Sequence, residues 1–290
     1  MTQTTAQYGG ASKEAIQHHY DLSNEFYSLW LDETMTYSCA MWEEGSTLKE
    51  AQLRKLDHHI DAARVRGAAH VLDIGCGCGW GAMLRRLVDD AGVASAVGLT
   101  LSEAQAAWVR SRHDPRLDVR VESWEHHVPK RKYGGIISLG AFEHFARPDV
   151  PKSEVIESYR RFFSTCHGWL ESGGAMSLQT IAYGTAQRKD LNRFIVEEIF
   201  PESDLPTLAD IDQAAHGLFE IERVRNDRLD YARTLKEWYF KLRACKAEAL
   251  AEVGEETVAR YERYLSLFAV GFHTGAMNLL RLSLRRIDPR

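Results

Sequence analysis

One ten-residue run constrains this chain more than any other: Val71-Leu72-Asp73-Ile74-Gly75-Cys76-Gly77-Cys78-Gly79-Trp80. An apolar strand pattern enters an acid-x-Gly-x-Gly-x-Gly turn, and a helix pattern from Trp80 to Asp89 leaves it. Glycine permits the tight turn and lets a ligand approach main chain that a Cβ would cover. The helix that follows aims its first amides at that ligand. A strand–turn–helix of this kind opens an α/β nucleotide-binding fold, so the remainder is read as strands alternating with helices.

The remainder complies. Short apolar runs predict strands at His70–Ile74, Ala94–Leu99, Leu117–Val121, Gly135–Leu139, Ala175–Ile181, Phe219–Val224 and Leu279–Leu284. Helical spacing predicts helices at Ser12–Leu31, Thr47–Ala63, Trp80–Asp89, Ser102–Ser111 and Val155–Phe163. The expected fold is a Rossmann-like α/β domain with a seven-stranded, mostly parallel sheet covered on both faces. Residues 1–65 precede the first strand and are read as a helical cap, with 66–290 as the main domain. An apolar excursion from Asn192 to Asp212, with Phe194, Ile195, Ile199, Phe200 and Leu205, is read as a lid insertion after strand five (about 185–212). Ligands of open α/β sheets bind outside the carboxyl ends of the strands, where such a lid would lie.

The glycine spacing separates two cofactors. Dinucleotide sites use G-x-G-x-x-G, and an acid before the first glycine would repel a pyrophosphate. Asp73 instead suits the cationic methionine end of S-adenosylmethionine. After the second strand, Gly98-Leu99-Thr100-Leu101-Ser102 offers hydroxyls rather than the ribose-binding carboxylate of a dinucleotide fold.

Composition excludes several classes. With 36 basic against 41 acidic side chains, the chain lacks the basic excess of a nucleic-acid binder. The basic stretch Arg281-Leu282-Ser283-Leu284-Arg285-Arg286 is read as a solvated strand end. No apolar stretch approaches the ~20 residues of a membrane-spanning helix. An odd number of cysteines, five, and no leader pattern lead to the expectation of a reducing cytoplasm. Cys76 and Cys78 have no second ligand pair, and His18, His19, His58, His59, His126 and His127 have no convergent third ligand, so no metal is expected.

Several further motifs occur together: His19-Tyr20-Asp21-Leu22-Ser23-Asn24, Thr34-Met35-Thr36-Tyr37-Ser38-Cys39-Ala40, Gly98 to Ser102 followed by Gln105, Gly140-Ala141-Phe142-Glu143-His144-Phe145, Ile199-Phe200-Pro201, and Tyr231-Ala232-Arg233-Thr234-Leu235 followed by Trp238. In this combination, from about His18 to the end, the chain resembles the cyclopropane fatty acid synthase and mycolic acid methyltransferase family, and more distantly methyltransferases of alkaloid amines. The resemblance implies a class I methyltransferase in which Tyr37 and Ser38 close over the methionine moiety and Gly75 and Gly77 line its path. Thr100, Leu101 and Gln105 would meet the ribose, Ser123, Trp124 and Glu125 would frame the adenine, and the Leu139 carbonyl would lie near the sulfonium. In that family a bicarbonate ion sits beside the substrate alkene; its holders match Cys39 (main chain), Glu143 and Tyr231.

Two positions depart from the pattern. The end of the fifth strand normally carries His before Thr-Ile, and here it is Gln179; Asp230 stands where His is frequent. Glutamine offers a neutral hydrogen bond and no positive charge, which argues against bicarbonate and against ring closure. The expected reaction is therefore methylation of a carbon–carbon double bond in a hydrophobic acyl chain, polyketide or terpenoid. Aromatic side chains such as Tyr20, Phe26, Tyr27, Trp30, Tyr37, Trp238 and Tyr239 would stabilise a carbocation, and Glu143 would remove a proton. The alternatives are a cyclopropane synthase, an N-methyltransferase of a small amine, and a cofactor-binding protein that no longer transfers methyl.

Overall fold

The computed structural model describes residues 23–194, 196 and 203–288. Seven strands form one sheet in the order β3-β2-β1-β4-β5-β7-β6: β1 (Val71–Ile74), β2 (Ala96–Thr100), β3 (Leu117–Val121), β4 (Tyr133–Leu139), β5 (Leu170–Tyr183), β6 (Phe219–Asn226) and β7 (Met277–Arg286). All but β7 run parallel; β7 is antiparallel between β5 and β6. All seven strands expected from the sequence are present. The central β1 and β2 are buried along their whole length. Parallel strands covered on both faces are mostly apolar, and these are, apart from Asp73 in β1 and Thr100 at the end of β2. The outer β6 carries Glu220, Glu222, Arg223 and Arg225, the charged chemistry that keeps an edge strand from pairing with another chain.

The helices are α1 (Asn24–Trp30), α2 (Leu48–Ala62), α3 (Ala82–Asp89), α4 (Glu103–Arg110), α5 (Lys152–Trp169), α6 (Leu208–Ala215), α7 (Arg228–Ala244) and α8 (Lys246–Thr274). Thr47 and Glu50 close a capping box at the start of α2. Only the last part of the helix expected over Ser12–Leu31 is α1; residues 12–22 lie outside the described residues, as do Ile195, Ile199 and Phe200 of the expected lid. Of the described lid residues, Phe194 is buried, with the Arg263 guanidinium 4.1 Å from its ring centroid. No helix among the described residues is long and apolar enough to cross a membrane.

Two features were not anticipated from the sequence. Helices α7 and α8 form an antiparallel pair against α1, and one apolar cluster joins Phe26, Tyr27, Trp30 and Tyr37 to Trp238, Tyr261, Tyr264, Phe268 and Phe272. Of the aromatic side chains expected to meet a substrate, Phe26, Tyr27, Trp30 and Trp238 are core, and Tyr37 alone of these five lines the main cavity. The second feature is α2, whose buried side carries Lys55 and His59 as well as Gln52, Leu56 and Ile60. Spaced three and four residues apart, these polar groups form one ridge that faces the carboxyl half of the sheet.

The seat of α2 depends on a glycine. A Cβ at Gly135, in the middle of β4, would lie 2.2 Å from Val65 Cγ1 and 2.8 Å from the Ala63 carbonyl, where the chain leaves α2. Gly135→Ala therefore overpacks this contact, with an expected loss of about 1–3 kcal/mol in chemical denaturation. An unchanged midpoint would show that the exit of α2 can retreat freely.

Candidate active site

The sheet changes winding direction between β1 and β4, whose order neighbours lie on opposite sides, and a crevice opens there. Gly75, after β1, and Gly140, after β4, both adopt positive φ (84° and 69°). A Cβ on Gly75 would stand 2.7 Å from the Ala141 Cβ, so the two turns touch across the crevice.

On the β1–β2 side lies a groove of about 580 Å³ lined by Gly75, Gly77, Thr100, Leu101, Gln105, Ser123 and Trp124, among others. These residues come from three strand ends, and the sequence analysis assigned all of them to one ligand. Thr100 Oγ1 donates to Gln105 Oε1 (3.1 Å), and Ser102 caps α4 through the Gln105 amide. Gly77 faces this pair: a Cβ there would fall 1.7 Å from Gln105 Oε1 and 2.8 Å from Thr100 Oγ1. A small cavity beside it is lined by Ser38, Lys55, Asp73, Gly75 and Leu139, among others. Lys55 Nζ donates to Ser38 Oγ at 2.8 Å. Burial pushes the Asp73 carboxyl up to about 7, partly offset by the Lys55 charge. Glycine main chain, ribose-matched polar groups, an aromatic face and an acid in a dry recess fit S-adenosylmethionine end to end. Glu125 is the exception. Its carboxylate lies 3.9 Å from Arg161, and Glu122 rather than Glu125 lines the groove.

On the β4–β5 side the crevice continues into a chamber of about 840 Å³. Gly140 and His144 line both spaces, so they communicate at the strand ends. Tyr37, Ser38, Glu143, Gln179 and Tyr231 line the chamber together. Its apolar wall includes Ile181, Tyr264, Phe268, Met277 and Leu279, of which Tyr264 and Phe268 come from α8. Tyr37 donates to Tyr264 at 3.3 Å, and Tyr231 packs on Phe272 with ring centroids 4.5 Å apart.

Glu143 sits in a single turn, Phe142–His144, directly after β4. Its Oε1 accepts the Ile181 N–H at 2.5 Å, while its Oε2 is buried and has no hydrogen-bond partner among the described residues. Burial pushes the carboxyl up to about 7, against the lowering effects of the Ile181 N–H, its own backbone N–H and the Thr180 hydroxyl. His144 bonds Ser203 Oγ through Nδ1 at 2.7 Å, and burial lowers its pKa to about 4, so it is neutral.

Cys39 lies behind the chamber. Burial pushes its thiol up to about 12, which leaves it no thiolate character at neutral pH. Asp230 accepts the Trp42 amide (3.1 Å) and serves the loop that carries Cys39. Gln179 carries no charge of its own, but the structure sets a buried positive charge against it and corrects the reading of Arg281. Arg281, read from the sequence as part of a solvated end, is only 2% exposed and donates through Nε to Gln179 Oε1 at 2.9 Å. Its sequence signal was its alternation with Leu280 and Leu282, the apolar neighbours of a buried strand. Lys55 and His59 were missed for a related reason, because a helical stripe is scored on its apolar members.

The chain matches the family model for mycolic acid cyclopropane synthetase over residues 9–282. It is 36% identical to cyclopropane mycolic acid synthase 3 of Mycobacterium tuberculosis, across 93% of this chain and 96% of that protein. The cyclopropane synthase MmaA2 of the same organism superposes with a TM-score of 0.84 at 34% identity, covering 96% of this chain and 99% of that one. The cyclopropane synthase CmaA1, solved with S-adenosylhomocysteine and the detergent CTAB, gives a TM-score of 0.85 at 34% identity, with coverage of 96% and 99%.

The contact at Gly77 yields a direct test of the groove. Gly77→Val displaces Gln105 from the ribose-matched position, and calorimetry should show at least a roughly tenfold loss of S-adenosylhomocysteine affinity, about 1.4 kcal/mol. The melting temperature without ligand should change little. Wild-type affinity in the folded variant would remove Gly77 and Gln105 from the cofactor site.

Proposed function

The chain belongs to the mycolic acid cyclopropane synthetase family and is an S-adenosylmethionine-dependent methyltransferase, and from that premise we propose that it methylates a carbon–carbon double bond of a hydrophobic substrate, with Glu143 as the base. The observation that carries this reading is Glu143 Oε2: a buried carboxylate oxygen without a partner among the described residues, on the wall of an apolar chamber. An unpaired buried acceptor is costly, and a proton to be removed from a bound substrate gives it a purpose.

S-adenosylmethionine, when bound, supplies an electrophilic methyl group. The chamber then has three tasks. Its apolar wall excludes water, which would otherwise capture a cation as an alcohol. As the alkene's electron pair bonds to the methyl carbon, the neighbouring carbon becomes positive, and the faces of Tyr37, Tyr231, Tyr264 and Phe268 are placed to stabilise it. Glu143 Oε2 accepts a proton from an adjacent carbon, and the freed C–H pair forms a new double bond. A carboxyl held near 7 is matched to this work, since enough of it is ionised at neutral pH and it is basic enough to take the proton. Because the carboxylate reaches the chamber itself, we assign it the proton directly rather than through a bound bicarbonate. An acyl chain, a polyketide or a terpenoid would meet the same apolar wall.

The acceptor is to be found by comparing metabolites made with and without the enzyme from methyl-labelled donor, with carbon connectivity of the product determined. A nitrogen-methylated product would overturn the proposal. On that acceptor, Glu143→Gln should lower kcat by roughly 10²–10⁴ with S-adenosylhomocysteine affinity unchanged. The base acts ionised, so wild-type kcat should fall as pH drops below about 7 and level off above it. Removal of carbon dioxide should leave the rate unchanged; a rate that collapses and returns with added bicarbonate would assign the proton to that ion.

A further inference from the structure

Gln179 is held from behind. Its Oε1 accepts from Arg281 Nε at 2.9 Å and lies 3.3 Å from His59 Nε2. A guanidinium has donors only, so the amide atom facing it must be the oxygen. The oxygen in turn requires a proton on His59 Nε2, which leaves Nδ1 to accept from Ser177 Oγ at 2.7 Å. Burial, reinforced by the Arg281 charge, holds the His59 pKa well below its ordinary value, consistent with this neutral tautomer. With its oxygen committed, Gln179 has only its N–H2 group to turn toward the chamber that it lines.

Glu143 lines the same chamber, held through Oε1 by the main-chain amide of Ile181, two residues along β5 from Gln179. Arg281 spends its other donors on the same neighbourhood: Nη2 bonds the carbonyls of Cys39 (3.1 Å) and Ala40 (3.0 Å), and Nη1 pairs with Asp227. One buried guanidinium therefore ties β7 to β5, to the loop after Ser38 and to the start of α7.

We propose that Arg281 is a positioning residue of the transfer site: through Gln179 Oε1 it fixes an amide N–H2 donor toward the chamber that Glu143 also lines. It touches neither substrate nor donor. The effect is that a neutral glutamine keeps one orientation and offers the chamber a donor, where a freely flipping amide would present either a donor or an acceptor. The inference rests on the reading of this chamber as the transfer site, and its test is independent of the acceptor's identity.

The side-chain amide of Gln179 can be followed by NMR in deuterated protein labelled with ¹⁵N-glutamine and saturated with S-adenosylhomocysteine, its signal being the one lost in Gln179→Glu. In wild type the amide should respond to pH with the midpoint of Glu143, and Glu143→Gln should abolish that response. Arg281→Met should abolish it too, with the amide proton pair broadened or merged, while affinity for S-adenosylhomocysteine stays within about twofold. Because Arg281→Met removes one of the two guanidinium partners of Asp227, the other being Arg225, Arg281→Met with Asp227→Asn keeps the comparison in a folded protein. A merely structural arginine would lower the melting temperature in both variants and leave the Gln179 titration intact, and that result would overturn the inference. So would a wild-type amide that ignores Glu143. If Glu143→Gln instead retains full turnover while the amide titration follows Arg281 as described, the proposed function fails and the positioning role stands.

Discussion

The site depends on a topological constraint at the ends of β1 and β4. The chain winds outward from β1 in one direction through β2 and β3, and in the other through β4 and β5, so the loops leaving Ile74 and Leu139 diverge and cannot cover each other. The gap must accept a ligand close to main chain, and glycines answer that need at both turns, Gly75 and Gly140. The ligand groove and the chamber follow as the two halves of one crevice, meeting at Gly140 and His144.

A second constraint is desolvation. Asp73, Glu143, Lys55, His59 and Arg281 are all buried around this crevice, where a lone charge is expensive. The molecule deals with each differently. The histidines are held neutral, and Arg281 is paired with Asp227 and surrounded by acceptors. The two carboxyls are held near 7, poised between their charged and neutral forms. Of these groups, Glu143 leaves one carboxylate oxygen on the chamber wall without a partner among the described residues.

The helical pair α7–α8 completes the chamber from outside the nucleotide-binding framework. Its aromatic face packs on α1 and on the loop carrying Tyr37, so the wall that would meet a hydrophobic substrate is continuous with a core cluster. That continuity makes the wall rigid, because interior aromatic rings interlock at close-packed density.

The sequence by itself determined the framework. Strand periodicity, the acid-x-Gly-x-Gly-x-Gly turn and the apolar runs are local signals, and a parallel sheet with its cofactor groove follows from them because the physics that writes them is local: backbone sterics and burial on one face. Asp73 and the Gly75 and Gly77 turn were legible for this reason; Leu101, Gln105, Ser123, Trp124 and Glu143 were singled out by the resemblance to a known family, and they line the crevice. What surrounds Gln179 was decided only by tertiary structure. A glutamine on β5, a histidine on α2 and an arginine on β7 are far apart in the chain, and each read alone is bland: a neutral substitution, an unpaired ring, a basic strand end. Folding brings them within hydrogen-bond distance in a dry interior, where the choice of donor and acceptor is no longer free. Charge and orientation at such a point belong to the neighbours, and sequence spacing carries no record of them.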